Sequence, residues 1–291
     1  MSIRPQTLPK ARAQTIQRML GLHDKPNPFL RGNDEGVTGR IVSHLRAAEL
    51  YWVSEDMAAL AMSSGSQLAA ARWATADRPS PCGLIYFDGG VGTVQVSGTM
   101  SGPVQALAWG PSPDGTLTVT HLMTREHFMG GAQVPFPEAV PPLVAIREAR
   151  LPVTVEPVPF VDLPAHEGMK PPLPIVSALA AAWHLMQQPQ LVERGSVEPG
   201  KADARSLRRS GLPSDPVTLV SLRRQYVPQA REGEPSGSRV YRHRWVVSGH
   251  WRDQPHGPER ALRRKTWIPA YVKGPDGAPL LSTERVNVWR R

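Results

Sequence analysis

The chain has 291 residues, a net charge of +9, a pI near 10.2 and one cysteine, Cys82. A single thiol excludes an intrachain disulfide framework and any cysteine-based zinc site, and the basic balance favours an acidic partner, nucleic acid first. Apolar residues make up 40% of the chain, enough for a real core, while 31 prolines predict many short elements and rigid connections.

In chain order, the opening residues MSIRPQTLPKARAQ hold no apolar stretch, so no signal peptide is expected. Residues 8–21 predict an amphipathic helix with Ile16, Met19 and Leu20 on its apolar side and Gly21 as its stop. Residues 39–75 read as helical, with Ile41, Leu45, Trp52, Leu60 and Leu68 near helical spacing and Ser63-Ser64-Gly65-Ser66 splitting the stretch in two. Asp88-Gly89-Gly90 predicts a turn within a hairpin over 83–97, and Pro113-Asp114-Gly115 joins a second hairpin between 104–109 and 117–122. A helical turn is expected over 124–130 and a strand over 151–155. The run IVSALAAAWHLMQQ at 175–188 is apolar nearly all round, which predicts a buried helix too short to cross a bilayer. A short basic helix at 200–210 carries Arg205, Arg208 and Arg209, a strand follows at 217–222, and 228–238 reads as a linker. Strands over 239–247, 266–273 and 285–289 complete a small sheet.

The expected fold class is α+β: an N-terminal helical region (1–78), a central region with a mainly antiparallel sheet and a buried helix (79–227), and a small basic C-terminal β module (239–291). Charge is sharply uneven along this plan. From Arg239 to Arg291 there are twelve Lys/Arg against four Asp/Glu, and four of the eight tryptophans also lie there. Arginine, Trp and His interleaved in this way suit phosphates and unstacked bases. The candidate RNA-binding residues are Arg242, Arg244, His250, Trp251, Arg252, Arg263, Arg264, Lys265, Trp267 and Lys273. Arg263-Arg264-Lys265 is expected to lie opposite the 249–252 segment in a hairpin.

Other motifs carry less chemistry. Asp88-Gly89-Gly90-Val91-Gly92 lacks the Lys-Ser/Thr of a phosphate-binding loop and reads as a turn. His184 sits on the apolar helix and reads as a core histidine, and His23-Asp24 has no assigned role. His250 and His256, with Asp253 between them, match no standard metal spacing, so neither a metal nor another cofactor is expected. Histidine with arginine is also the equipment of metal-independent ribonucleases, for which His250, Arg252 and His243 are the catalytic candidates. A binding protein, a ribonuclease and a DNA-binding accessory protein therefore stand as three readings, with binding favoured over catalysis.

The stretch Arg242-His243-Arg244-Trp245-Val246-Val247-Ser248-Gly249-His250-Trp251-Arg252, then Gly257, then Lys265-Thr266-Trp267-Ile268-Pro269-Ala270-Tyr271-Val272-Lys273, resembles the C-terminal signature of the anti-CRISPR type V-A protein 2 family. Phe87-Asp88-Gly89-Gly90-Val91 and the helix at 175–188 with the segment after it are similar to two further stretches of that family. Ser248 stands where the family usually has arginine. The resemblance covers about fifty residues strongly and about thirty more weakly. It implies a phage or mobile-element protein that lowers a host target's mRNA in a translation-dependent way, by recognising the target's emerging N-terminal peptide. The implied partners are RNA or a ribosome–nascent-chain complex and that host peptide, in the cytoplasm and without a membrane.

Overall fold

A computed structural model of the chain describes residues 3–21, 35–68, 72–97, 100–131, 140–154, 158–159, 172–223, 244–273, 275 and 280–281. Contacts divide the chain into two compact units, Met1–Arg223 and Arg224–Arg291. The first contains α1 (Leu8–Gly21), α2 (Glu35–Ala47), β1 (Glu49–Val53), α3 (Glu55–Leu68), β2 (Arg72–Trp73), β3 (Gly83–Phe87), β4 (Thr93–Ser97), β5 (Met100–Pro103), β6 (Ala106–Pro111), β7 (Leu117–Thr124) and α4 (Arg125–Gly131). It continues with β8 (Leu143–Leu151), β9 (Val158–Pro159), α5 (Leu173–Met186), β10 (Val192–Val197), α6 (Lys201–Arg209) and β11 (Val217–Leu222). No helix among the described residues is long and apolar enough to cross a membrane.

Seven strands form one sheet in the order β10-β11-β1-β3-β6-β7-β8, with β1 parallel to both β3 and β11 and the other neighbours antiparallel. The fold is thus α+β with a mixed sheet. Successive strand residues point to opposite faces, and both faces are covered. Leu50, Leu84, Tyr86, Ala106 and Ala108 join Ile16, Ile41 and Leu45 of α1 and α2 in one core. On the other face, Tyr51 stacks on Trp109 at 5.8 Å between ring centres, and Trp109 meets Trp183 of α5 edge-on at 5.2 Å. Every residue of α5 from Ile175 to Met186 is buried, as its unbroken apolar run predicts. His184 is buried there, with Nε2 3.8 Å from Asp77 Oδ2.

The structure differs from the sequence expectations first in the N-terminal half. The helical stretch 39–75 is broken by β1, whose Leu-Tyr-Trp-Val run enters the centre of the sheet. A strand buried on both faces is apolar at consecutive positions, so its residues also fit a helical period. Second, Ser63-Ser64-Gly65-Ser66 does not split a helix. It lies inside α3, and Gly65 lets α5 approach so closely that an added Cβ would sit 2.8 Å from the Ala178 nitrogen. Third, β3 and β4 do not pair with each other. Both edges of β3 are taken by β1 and β6, and β4 pairs with β5. The turn itself is present, with Gly89 and Gly90 both at φ +81°.

The second expected hairpin forms as β6–β7. Asp114 Oδ1 accepts from the Thr116 amide and hydroxyl, and Gly115 takes φ +79°. The strand placed at 151–155 instead spans 143–151, and Pro152, which has no N–H to offer a ladder, follows its end. Buried histidines serve this framework. His44 donates from Nε2 to the Pro111 carbonyl at 2.8 Å, and His121 donates from Nδ1 to the Arg147 carbonyl at 3.2 Å. Burial lowers the pKa of both, that of His121 to about 4.

The second unit contains β12 (Arg244–Val247), β13 (His250–His256), β14 (Leu262–Ile268), β15 (Tyr271–Lys273) and β16 (Leu280–Leu281). β12 pairs antiparallel with β15 and parallel with β16, while β13 and β14 form a separate antiparallel ribbon. The expected 266–273 strand is two strands broken at Pro269. The expected linker at 228–238, the strand at 285–289, His23-Asp24, Arg242 and His243 lie outside the described residues.

Candidate nucleic-acid interface

The β13–β14 ribbon holds most of the described candidate residues, and its register decides what they can do together. Arg252 lies opposite Thr266, Asp253 opposite Lys265, Gln254 opposite Arg264 and Pro255 opposite Arg263. The Arg263-Arg264-Lys265 run therefore faces 253–255 rather than the expected 249–252. Directly opposed residues share a face, and alternate residues along each strand share it too. The candidates consequently fall into two groups.

One face carries Trp251, Asp253 and Pro255 against Trp267, Lys265 and Arg263. The two indoles meet edge-on, 5.3 Å apart at 63°. Trp267 is 5% exposed, so its ring orders the ribbon and offers no open surface to a base. Gly249 makes room for it, because a Cβ there would lie 2.5 Å from Trp267 Cζ2. Lys265 Nζ is neutralised by Asp253 Oδ1 at 2.7 Å. The Arg263 guanidinium turns back onto the carbonyls of Arg260 and Leu262 at 2.7 and 3.2 Å. The cations of this face thus have partners inside the ribbon.

The opposite face carries His250, Arg252, Gln254 and His256 against Ile268, Thr266, Arg264 and Leu262. None of these residues is acidic. Arg252 and Arg264 are exposed and lie on a cross-strand diagonal, which puts their Cβ atoms about 7–8 Å apart. Neither guanidinium is engaged by an acidic side chain among the described residues. Two free forked donors on one rigid ribbon match successive phosphates, and Gln254 and Thr266 between them can bond a 2′-hydroxyl or a base edge. Sequence reasoning did not single out Gln254 and Thr266. Their signal is the register, since each lies opposite one of the two arginines.

His250 is exposed and its Nδ1 donates to the Ser248 carbonyl at 3.2 Å. That bond fixes the neutral ring with Nε2 as the proton-accepting nitrogen. His256 is six residues along the same strand, about 20 Å away at ordinary strand rise. The two histidines can share neither a metal ion nor the two proton transfers of a phosphodiester cleavage. Asp253 points to the other face, and among the described residues no group of three or more metal-ligating side chains forms.

No protein-family model matches the chain, and comparison with curated proteins finds no match.

The ribbon's turn is built for a tight reversal. Gly257 has φ +76°, and an added Cβ would meet Leu262 Cδ1 at 2.9 Å. Glu259 and Arg260 follow at φ 49° and 57°, which places local backbone strain at the tip. In the other sheet of this unit Lys273 of β15 lies opposite Trp245 and Arg244 of β12 opposite Leu280 of β16, and the side chains of Arg244 and Lys273 lie outside the described set.

Proposed function

We propose that the chain is a regulatory RNA-binding protein of a phage or mobile element, which engages RNA or a translating ribosome–nascent-chain complex and lowers expression of a host gene. The observation that carries this reading is the uncompensated cationic face of the β13–β14 ribbon, set back to back with a face whose cations have partners. Arg252 and Arg264 clamp phosphates there, and His250 stacks on or bonds an adjacent base. The residues behind the family resemblance have a physical role consistent with it: Gly249 and Trp267 pack together to hold the ribbon that presents His250. The host peptide remains part of the proposal through that resemblance.

A second reading is a metal-independent ribonuclease, favoured by the tautomer of His250 and by Arg252 on the same face. His250 Nε2 would take the 2′-hydroxyl proton as the 2′-oxygen attacks phosphorus, Arg252 would steady the phosphorane, and the 5′-oxygen would leave with a proton from water, giving a 2′,3′-cyclic phosphate. A single assay separates the two. Purified protein is incubated with labelled single-stranded RNA in EDTA and scored for binding and cleavage, beside His250→Ala. Binding without cleavage supports the regulatory reading. Cleavage abolished in His250→Ala with affinity retained makes the chain a ribonuclease.

A further inference from the structure

Helix α6 in the first unit carries a second cationic surface that has no acidic partner for its outer side chains among the described residues. Its inner side is fixed by Ala204 and Leu207, both buried, and Asp203 turns to Lys10 of α1 at 2.9 Å. The remaining long side chains, Lys201, Arg205, Arg208 and Arg209, are all exposed. Positions 201, 205, 208 and 209 follow helical spacing, so the four charges form one stripe about 12 Å long. Asp203 is the sole acidic residue of the helix, and Lys10 occupies it.

Basic residues in a last helical turn often serve the helix itself by bonding its final carbonyls. Here the backbone does that work. The Leu212 amide donates to the Leu207 carbonyl at 3.0 Å and the Gly211 amide to the Arg208 carbonyl at 3.1 Å, with Gly211 at φ +62°. This closing motif leaves the guanidiniums of Arg208 and Arg209 free of a capping role. The segment beyond is pinned as well. Buried Arg12 donates to the Pro213 carbonyl at 2.8 Å and to Asp215 at 3.0 Å. Leu207 and Leu212 belong to the α1–α2 core. The stripe is therefore held on a rigid support, which lowers the ordering cost of binding.

We infer that α6 is a second RNA contact, which takes the phosphate backbone without reading sequence. This inference rests on the RNA-binding reading above and adds a surface in the other unit. RNA phosphate fits better than an anionic membrane. A membrane-bound basic helix needs an open apolar face, whereas the apolar side of α6 is already packed into the core.

The test uses the full chain with Lys201→Gln/Arg205→Gln/Arg208→Gln/Arg209→Gln, which preserves helix propensity. Circular dichroism and thermal unfolding check that the fold is kept. Affinity for a fluorescent oligouridine is measured from about 50 to 300 mM salt, beside Arg252→Gln/Arg264→Gln. Each lost phosphate contact removes about 0.7 from the log–log salt slope, so the α6 variant, which lacks four cations, should lose about 2.8 and bind tenfold or more weakly near 100 mM. An unchanged slope in the folded α6 variant overturns the inference, and a slope lowered only in the Arg252/Arg264 variant leaves the ribbon reading standing. A slope lowered only in the α6 variant does the reverse. Binding to phosphatidylglycerol vesicles that disappears in the α6 variant, with RNA binding intact, would reassign the stripe to a membrane. A native chain that binds no RNA overturns both.

Discussion

Arg12 and Arg40 of the first unit are used in the opposite way to Arg252 and Arg264 of the second. In the first, Arg12 is fully buried and bonds the carbonyls of Ala48 and Pro213 together with Asp215, and Arg40 pairs with Glu148 at 2.9 Å. Burial outweighs both the hydrogen bond and the charge of Asp215 and lowers the pKa of Arg12. In the second, Arg252 and Arg264 stand exposed on a two-stranded ribbon with no acidic neighbour on their face. An arginine that satisfies carbonyls inside a core is a structural clasp. One that is displayed without a partner is available to an anion from outside. Net charge alone does not separate these roles, since burial and register decide them.

The sharpest break of the comparison is Arg12→Met. It leaves the Ala48 and Pro213 carbonyls without their guanidinium donor and should cost the first unit about 3–5 kcal/mol in denaturant unfolding. The part of RNA affinity that Arg252→Gln/Arg264→Gln removes should be unchanged in the molecules that remain folded. If the variant unfolds like the native chain, Arg12 is not a clasp.

Acid should act on the same unit. His121 is buried with its pKa lowered to about 4, so between pH 6.5 and 4 the unfolded chain binds a proton that the folded chain does not. Stability contributed by the neutral ring is full above about 6.5 and is lost as pH falls, at up to about 1.4 kcal/mol per unit. His44, lowered in the same direction, adds to the slope. His121→Gln should flatten the dependence of unfolding free energy on pH between 6.5 and 5. An equal slope in both proteins would assign the acid sensitivity to other groups.

Gly249→Ala tests the ribbon from its packed side. The new methyl meets the Trp267 ring, with an expected cost of about 1–3 kcal/mol to the second unit and a changed near-ultraviolet tryptophan signal. RNA affinity should fall with that packing although no charge is removed. Lys265→Gln should do least. Its pair with Asp253 has one well-exposed partner, so stability should move by less than about 1 kcal/mol and the salt slope very little.

Much of the fold is legible in the sequence where the signal is local. The β6–β7 turn is written in Asp114 and Gly115, the buried helix in its unbroken apolar run, and α6 in the spacing of its arginines. What the sequence hides is partner choice. Asp88-Gly89-Gly90 marks a turn correctly, yet only the sheet shows that β3 is already paired on both edges. Gly65 reads as a helix breaker because its purpose, the approach of Ala178, lies more than a hundred residues away. The candidate site follows the same rule. Its composition is visible at once, but the sorting of Arg252 and Arg264 from Lys265 and Trp267 depends on a register set by the irregular turn at 257–261.

The most direct test of the account removes two charges from each face in turn. Oligouridine binding is measured across a salt series for Arg252→Gln/Arg264→Gln and for Arg263→Gln/Lys265→Gln, which change net charge equally. The first pair should lower the log–log slope by about 1.4, and the second should leave it nearly unchanged. Equal losses in the two variants would mean that RNA senses overall charge, and would contradict the assignment of binding to one face.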